Sequence, residues 1–353
     1  MGKRTATNRP VRMKDIAKDL GVSVITVSKA IRGLSDISES TRRRVLKHVK
    51  EMNYRPNMMA RGLVTSKSYN VGLVIPEMMH SYYAEVAKGL SAAIQPSGLR
   101  LLISNSECNA ELEREEIQSL LARQVDGLVI SSFQREGGTD IFDQITASGV
   151  PFVLIDRGIP GLEAHYVGWD QPSYGTMVTE HLMECGCTRI ALIRYPAIDS
   201  GPTRADGYLT TLKQHGFMVS EAYVVSASYG DGTGYDAMRM LLALDPRPDG
   251  VACHNDPVAA QAIRAILDAG LRIPEDIAVI GVGNIRYSDF FRVPLSTIDQ
   301  GSNLTGQRAG ELLVNLINSR RRIPPKKILI PPRLIVRAST MRQKVGKNLS
   351  QVG

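Results

Sequence analysis

A chain of 353 residues has room for about two or three domains, and 43% hydrophobic with 22% charged residues is the balance of a globular protein rather than a disordered or fibrous one. No apolar run approaches the length a bilayer requires and nothing at the start reads as a signal peptide, so a cytoplasmic protein without a membrane partner is expected. The net charge of +8 is unevenly placed: residues 1–66 hold 15 Lys and Arg against 5 Asp and Glu, leaving 28 against 30 for the rest. A basic front ahead of a near-neutral body is the electrostatic footprint of a polyanion-binding module. The four cysteines (Cys108, Cys185, Cys187, Cys253) are scattered, and one Cys-x-Cys pair lacks the spacing of a zinc site. They read as reduced thiols, and neither a metal nor a cofactor is expected.

In chain order, residues 1–10 read as a disordered basic arm. Residues 14–33, KDIAKDLGVSVITVSKAIRG, read as two short helices around a tight turn at Gly21. Ser23 suits the N-cap of the second helix. Val27 and Ile31 repeat at i, i+4 and face the first helix, which leaves Val24, Ile25, Ser28 and Lys29 outward. Such a pair forms a helix-turn-helix that lays its second helix in the major groove, or else an ordinary helical hairpin; the basic charge around it favours the former. A third helix opens at Ser38, carries Arg42, Arg43 and Arg44, and presents Val45, Leu46, Val49 and Met52 inward.

Five elements then fall in register: Asp15-Ile16-Ala17, Gly21-Val22-Ser23, Thr26-Val27-Ser28, Thr41-Arg42-Arg43-Arg44-Val45, and the run Tyr54 to Leu63. From Lys14 to Leu63 the chain resembles the DNA-binding head of the lactose-repressor (LacI/GalR) family. The resemblance implies a helix-turn-helix domain over 11–56 and a hinge helix over 57–66 that orders on DNA and enters the minor groove. Its contacts would be Asn57, Ala60, Arg61 and Leu63, with Leu63 wedged into a base step. By itself the segment is short and contains Gly62, so it would not hold a helix alone, and a plain linker is the other reading. By the same resemblance Val24, Ile25 and Lys29 read bases, Lys29 donating to guanine and the apolar pair meeting thymine methyls. Ser23, Thr26, Ser28 and the cluster begun by Arg42 would hold phosphates.

From Val71 short apolar runs alternate with amphipathic helices: VGLVI, LRLLIS, VDGLVI and PFVLI, then RIALIR, Val224-Val225, DGVAC and IAVIG. The alternation predicts parallel βαβ units in two doubly wound lobes, with a ligand crevice at the carboxyl ends of the strands. ILIPPRLIV near the end reads as a strand pair. Asp126 to Val129, Asn255-Asp256, Pro274 to Ile277 and Arg333 to Thr340 make this region similar to the periplasmic-binding-protein-like core of the same family. The implied fold is an all-α helix-turn-helix head plus an α/β core of two parallel-sheet lobes over 67–340. The N-lobe covers about 70–168 and 301–327, the C-lobe about 169–300 and 328–340, and 341–353 is a disordered tail without the heptads of a coiled coil.

The resemblance places effector contacts at Asp156, Arg157, Arg204, Tyr229, Asn255 and Asp256, although Asp156 could be a satisfied loop carboxylate and Tyr229 a core aromatic. Two departures concern charge. The family's G-[YF]-D-D is here Gly281-Val282-Gly283-Asn284, without an acid at 283, and Arg194 stands where a small residue is usual. Together they favour an anionic effector, a sugar acid or sugar phosphate rather than a neutral sugar. No phosphate loop, nucleophile elbow or metal-spaced histidine set appears, so no catalytic residue is expected. A pseudo-palindromic DNA operator read by a homodimer, with a small-molecule effector between the lobes, is the expectation; a solute-binding receptor of the periplasmic type is the alternative.

Overall fold

Helix boundaries in the first unit fall where capping groups stand. The helix α1 (Met13–Leu20) opens with Asp15 accepting the Arg12 amide at 2.8 Å and closes on Gly21 at φ 64°. The helix α2 (Val24–Arg32) starts from Ser23, whose hydroxyl accepts the Thr26 amide at 3.0 Å. Ser38 caps α3 (Glu39–Glu51) by accepting from Thr41 at 3.3 Å. Ile16, Ala17, Val27, Ala30 and Val45 form the core of this small bundle. Leu46, expected inward, is 43% exposed: Val45 occupies the inward direction, and a helical step of about 100° carries its neighbour to the flank.

The computed structural model describes residues 11–54, 67–134, 138–196, 203–228 and 232–342, in two compact units that divide at Ser68 and Tyr69. The expected arm and hinge, and with them Asn57, Ala60, Arg61 and Leu63, lie outside the described residues, as does Tyr229.

The second unit starts β1 (Asn70–Ile75), α4 (Ser81–Ile94), β2 (Arg100–Asn105), α5 (Ala110–Ala122), β3 (Gly127–Ile130), α6 (Asp140–Ala147), β4 (Phe152–Ile155) and β5 (His165–Gly168). It continues α7 (Gln171–Glu184), β6 (Ile190–Arg194), α8 (Arg204–Gln214), β7 (Val224–Ser226), α9 (Thr233–Leu242), β8 (Gly250–Cys253), α10 (Asp256–Asp268), β9 (Ala278–Val282) and β10 (Ser296–Asp299). It closes with α11 (Ser302–Asn318), β11 (Lys327–Leu329) and β12 (Arg333–Ile335). Two six-stranded sheets result, ordered β11-β5-β4-β3-β1-β2 and β12-β10-β9-β8-β6-β7. Both repeat one winding, reversing direction between β1 and β3 in the first and between β6 and β8 in the second.

Four features differ from the reading of the sequence. The short polar strands β5 and β10 are not announced by any apolar run. The pair expected in ILIPPRLIV splits, β11 joining the first sheet parallel to β5 and β12 the second. That last strand runs antiparallel to β10, so the second lobe is not wholly parallel. Order also continues past Thr340: Arg342 Nε donates to the Pro274 carbonyl at 2.9 Å, so the tail is tied down at its first residues.

The chain crosses between sheets at residues 169–170, 300–301 and 330–332. Trp169 and Ile330 belong to one apolar cluster that runs through both lobes, and the Ile330 amide donates to the Gly168 carbonyl at 2.7 Å. Two helix pairs brace these crossings by backbone contact. A Cβ on Gly89 in α4 would lie 2.0 Å from the Asn303 carbonyl oxygen in α11, and one on Gly306 would lie 2.0 Å from the Val86 carbonyl. Likewise Gly175 in α7 faces the Arg204 carbonyl and Gly207 in α8 the Pro172 carbonyl, each at 1.9 Å from the added carbon. Small residues thus fix where Arg204, the first residue of α8, sits. Gly207→Ala must push the helices apart, and the expected loss is about 2–3 kcal/mol, read as a drop of several degrees in the melting temperature. An unchanged melting temperature would contradict the close crossing.

Candidate functional site

On the first unit, α2 presents Ile25, 65% exposed, and Val24, 43% exposed, with Ser28 and Lys29 half-buried beside them. The hydroxyls of Ser23 and Thr26 lie 2.9 Å apart and serve the helix cap. Lys29 Nζ pairs with Asp36, whose carboxyl is drawn below its ordinary value by that hydrogen bond. The arginines divide by role. Arg42 Nη2 donates to the Leu34 and Gly33 carbonyls after α2, and Arg44 Nη2 to the Leu20 carbonyl at 2.9 Å. Arg42, an expected phosphate contact, satisfies orphan carbonyls at a helix end in this structure. Arg43 remains exposed, 3.6 Å from Glu39.

In the second unit a cavity of about 780 Å³ lies between the sheets, at the carboxyl ends of their strands. The reversals of strand order open there, as doubly wound sheets require. Of the sequence-derived positions, Asp156 follows β4, Arg194 ends β6, Arg204 opens α8 and Asn255 caps α10, and all four line it together with Arg157. Asp156 adopts φ 66° and accepts from the Tyr83 hydroxyl at 2.7 Å and from Ser131 Oγ at 3.1 Å. A non-glycine residue held there by two donors is the kind of strained position that gathers at ligand sites. Arg157 lies 5.0 Å over the Phe133 ring. Arg204 Nε donates to Gln171 Oε1 at 2.9 Å, Nη1 to the His254 carbonyl, and its guanidinium covers the Tyr174 ring at 5.6 Å. Burial lowers its affinity for a proton, against the opposing pull of Asp156.

Asp256, expected as a contact, does not line the cavity. One step along α10 from Asn255, it turns into the wall, where it accepts from Thr297 Oγ1 at 2.5 Å and from the Ile285 amide at 2.9 Å, joining β10 to the loop after β9. Burial pushes this carboxyl up to about 6. Gly283 is also off the cavity lining: a Cβ there would stand 3.7 Å from the Asp256 carboxylate. An acid at 283 would start out beside this carboxylate, so its absence is weaker evidence for an anionic effector than the sequence suggested.

What the sequence did not reveal is an aromatic wall. Tyr82 and Trp169 meet edge-on at 5.1 Å, Trp169 and Tyr174 at 6.0 Å, and His254 faces Tyr195 at 4.5 Å. His254 is held well below its ordinary value, first by burial and then by Arg204, Arg157 and His80, so it is neutral. Across the cleft His80 Nε2 lies 3.5 Å from Asn255 Nδ2. Five atoms of lining residues are buried without a hydrogen-bond partner: Tyr82 OH, Trp169 Nε1, Tyr174 OH, Arg194 Nε and Gln300 Nε2. Buried polar groups are rarely left so. Trp169, the single tryptophan of the chain, was the one available signal.

Residues 12–57 match the bacterial regulatory proteins of the lacI family, and residues 179–340 match the periplasmic binding protein-like domain. The HTH-type transcriptional repressor PurR of Pasteurella multocida (strain Pm70) is 30% identical over 93% of this chain and 98% of its own. The chain belongs to the lacI family. The ribose operon repressor of Escherichia coli (strain K12) is likewise 30% identical, over 93% of this chain and 99% of that protein. Among solved structures, a complex of the transcriptional regulator CelR with cellobiose is 29% identical with a TM-score of 0.70, covering 94% of this chain and all (100%) of the other. The lac repressor dimer bound to operator and the anti-inducer ONPF superposes with a TM-score of 0.83 at 24% identity, over 95% and 100%, a likeness of fold. This lacI-family chain is a DNA-binding regulator of transcription and not an enzyme, and a receptor without a DNA role is set aside. Among the described residues no helix is long and apolar enough to cross a membrane.

The Asp256 lock has a signature in pH. Its carboxyl holds a proton more tightly folded, at about 6, than the ordinary carboxylate of the unfolded chain. Its contribution to stability therefore falls as pH rises from about 4 to about 6 and is level above that. Asp256→Asn cannot titrate, so melting curves across this window should lose that part of the slope. Identical slopes in both proteins would rule the buried carboxyl out.

Proposed function

We propose that this lacI-family chain is a cytoplasmic homodimeric repressor whose heads read a pseudo-palindromic operator and whose cleft holds a small carbohydrate-like effector. The observation that carries the effector reading is the cavity of about 780 Å³ between the sheets, walled by aromatic rings and polar side chains, two of which, Trp169 and Gln300, belong to segments that cross between the lobes. A molecule seated among them touches the joints about which the lobes rotate, and so favours one lobe arrangement over another. Asp156, Arg157, Arg194, Arg204 and Asn255 are its proposed contacts, with Tyr229 a further one by family resemblance. Cellobiose in the CelR complex supports a sugar-like occupant. A coupling of about 1–3 kcal/mol, roughly 5- to 150-fold in operator affinity, is the usual scale for such a device.

On the DNA side, Val24 and Ile25 supply apolar contact to thymine methyls and Lys29 donates to guanine. Lys29 must leave Asp36 to do so; an exposed pair of this kind is worth only about 0–1 kcal/mol and does not prevent the exchange. Ser23, Thr26, Ser28 and Arg43 face phosphates, while Arg42 positions the turn beside them. Asn57, Ala60, Arg61 and Leu63 are proposed as the minor-groove contacts of the hinge.

Two substitutions test the DNA reading, each by competition binding against a library of duplexes. Lys29→Ala should relax preference at one base pair per half-site by about 1–3 kcal/mol; an unchanged profile retires the assignment. Leu63→Ala should weaken specific binding far more than non-specific binding, because only a specific site is bent around the wedge. Equal losses would remove the wedge.

A further inference from the structure

Resting on the reading that the cleft holds the effector, we propose that this effector carries a carboxylate or phosphate group, received by Arg194 at the end of β6.

Arg194 is half-buried at the point where the second sheet reverses its winding, and its Nε is buried without an acceptor. Among the described residues neither Arg194 nor Arg204 has a carboxylate within ion-pair distance, and the two acceptors that Arg204 does reach, Gln171 Oε1 and the His254 carbonyl, are neutral. Guanidinium groups drawn into a cavity ordinarily meet a counter-charge there. The acids of the lining supply it only at a distance. Asp156 pulls on Arg204 from beyond ion-pair reach, Glu77 accepts from the Met79 amide, and Glu107 and Asp170 are exposed at the rim.

The kind of atom left unmatched points the same way. Trp169 Nε1, Gln300 Nε2 and Arg194 Nε can only donate, and the Tyr82 and Tyr174 hydroxyls can do so as well. A carboxylate or phosphate presents acceptors alone and can take two parallel bonds from one guanidinium. Sugar hydroxyls would bring donors of their own, which Oδ1 of Asp156 can take, since the hydroxyls of Tyr83 and Ser131 both bond Oδ2; the acceptors that Arg194 lacks must come from the acid group. The low proton affinity of His254, to which Arg204 and Arg157 both contribute, is consistent with a positive potential in the cleft.

Trp169, 4% exposed and the only tryptophan, makes its fluorescence a reporter of the cavity. The full chain would be titrated with glucuronate against glucose, ribose 5-phosphate against ribose, and inorganic phosphate, at constant ionic strength and pH. The expected result is that at least one acid binds about tenfold or more tightly than its neutral partner. Arg194→Gln should lose that advantage, the acid falling to the affinity of its neutral partner for the same variant, and Arg194→Lys, which keeps the charge without the fork, should recover part of it. Melting temperatures equal to wild type show that the variants fold. Neutral sugars that bind as tightly as the acids, or an acid that binds Arg194→Gln as it binds wild type, overturn the anion while the effector cleft stands. Silence from every probe, inorganic phosphate at tens of millimolar included, counts against anion and cleft alike.

Discussion

Burial without a partner is what the residues at the junction of the two lobes share. An amide or hydroxyl shut away from water without a hydrogen bond costs on the order of 1–3 kcal/mol, and Tyr82, Trp169, Tyr174, Arg194 and Gln300, which all hold such an atom, line one cavity. The remaining features follow from keeping those atoms together. The winding of each sheet reverses at the cavity, and the ends of β1, β6 and β8 converge on it. Trp169 and Gln300 lie where the chain changes lobe. A molecule bound there is therefore held by the connections as much as by the walls, which is how occupancy becomes lobe geometry.

Rigidity around that cavity comes from elements that touch nothing in it. Glycines at the crossings of α4 with α11 and of α7 with α8 let backbones meet, and the second crossing seats Arg204. Asp256 ties β10 to the loop beyond β9 behind the wall, at the expense of a carboxyl that resists ionisation. Stiff lobes joined by three short connections move as bodies, and a change at the joint is carried whole rather than absorbed.

The parts of this that were legible in the sequence are those with local causes. Ser23 and Ser38 cap helices because the hydroxyl and the amide it serves are three residues apart. Asp156, Arg194 and Asn255 stand where apolar runs stop, at the carboxyl ends of parallel strands, while Arg204 was placed by family resemblance alone, and all four line the cavity. Asp256 shows the limit of that reasoning: one residue from a cavity contact, a helical step of about 100° sends its side chain into the wall. The strands β5 and β10 escaped because HYVG and STID are short and polar, stabilised by neighbours distant in sequence. Tyr82, Tyr174 and Gln300 come from helix openings and a crossing, and only the folded chain brings them together. The bonds of Arg42 were hidden for a similar reason, since its carbonyl acceptors lie in the turn that α3 packs against.

The claim on which the rest depends is that cavity and operator are coupled through these crossings. The most direct measurement follows Trp169 fluorescence and operator binding in the same samples of the full chain, titrated with whichever small molecule the cavity takes. Coupling requires that the factor by which this molecule changes operator affinity equal the factor by which operator changes its own affinity. Two matching factors well away from unity are the predicted result; a saturating fluorescence change with operator affinity flat throughout would contradict the account.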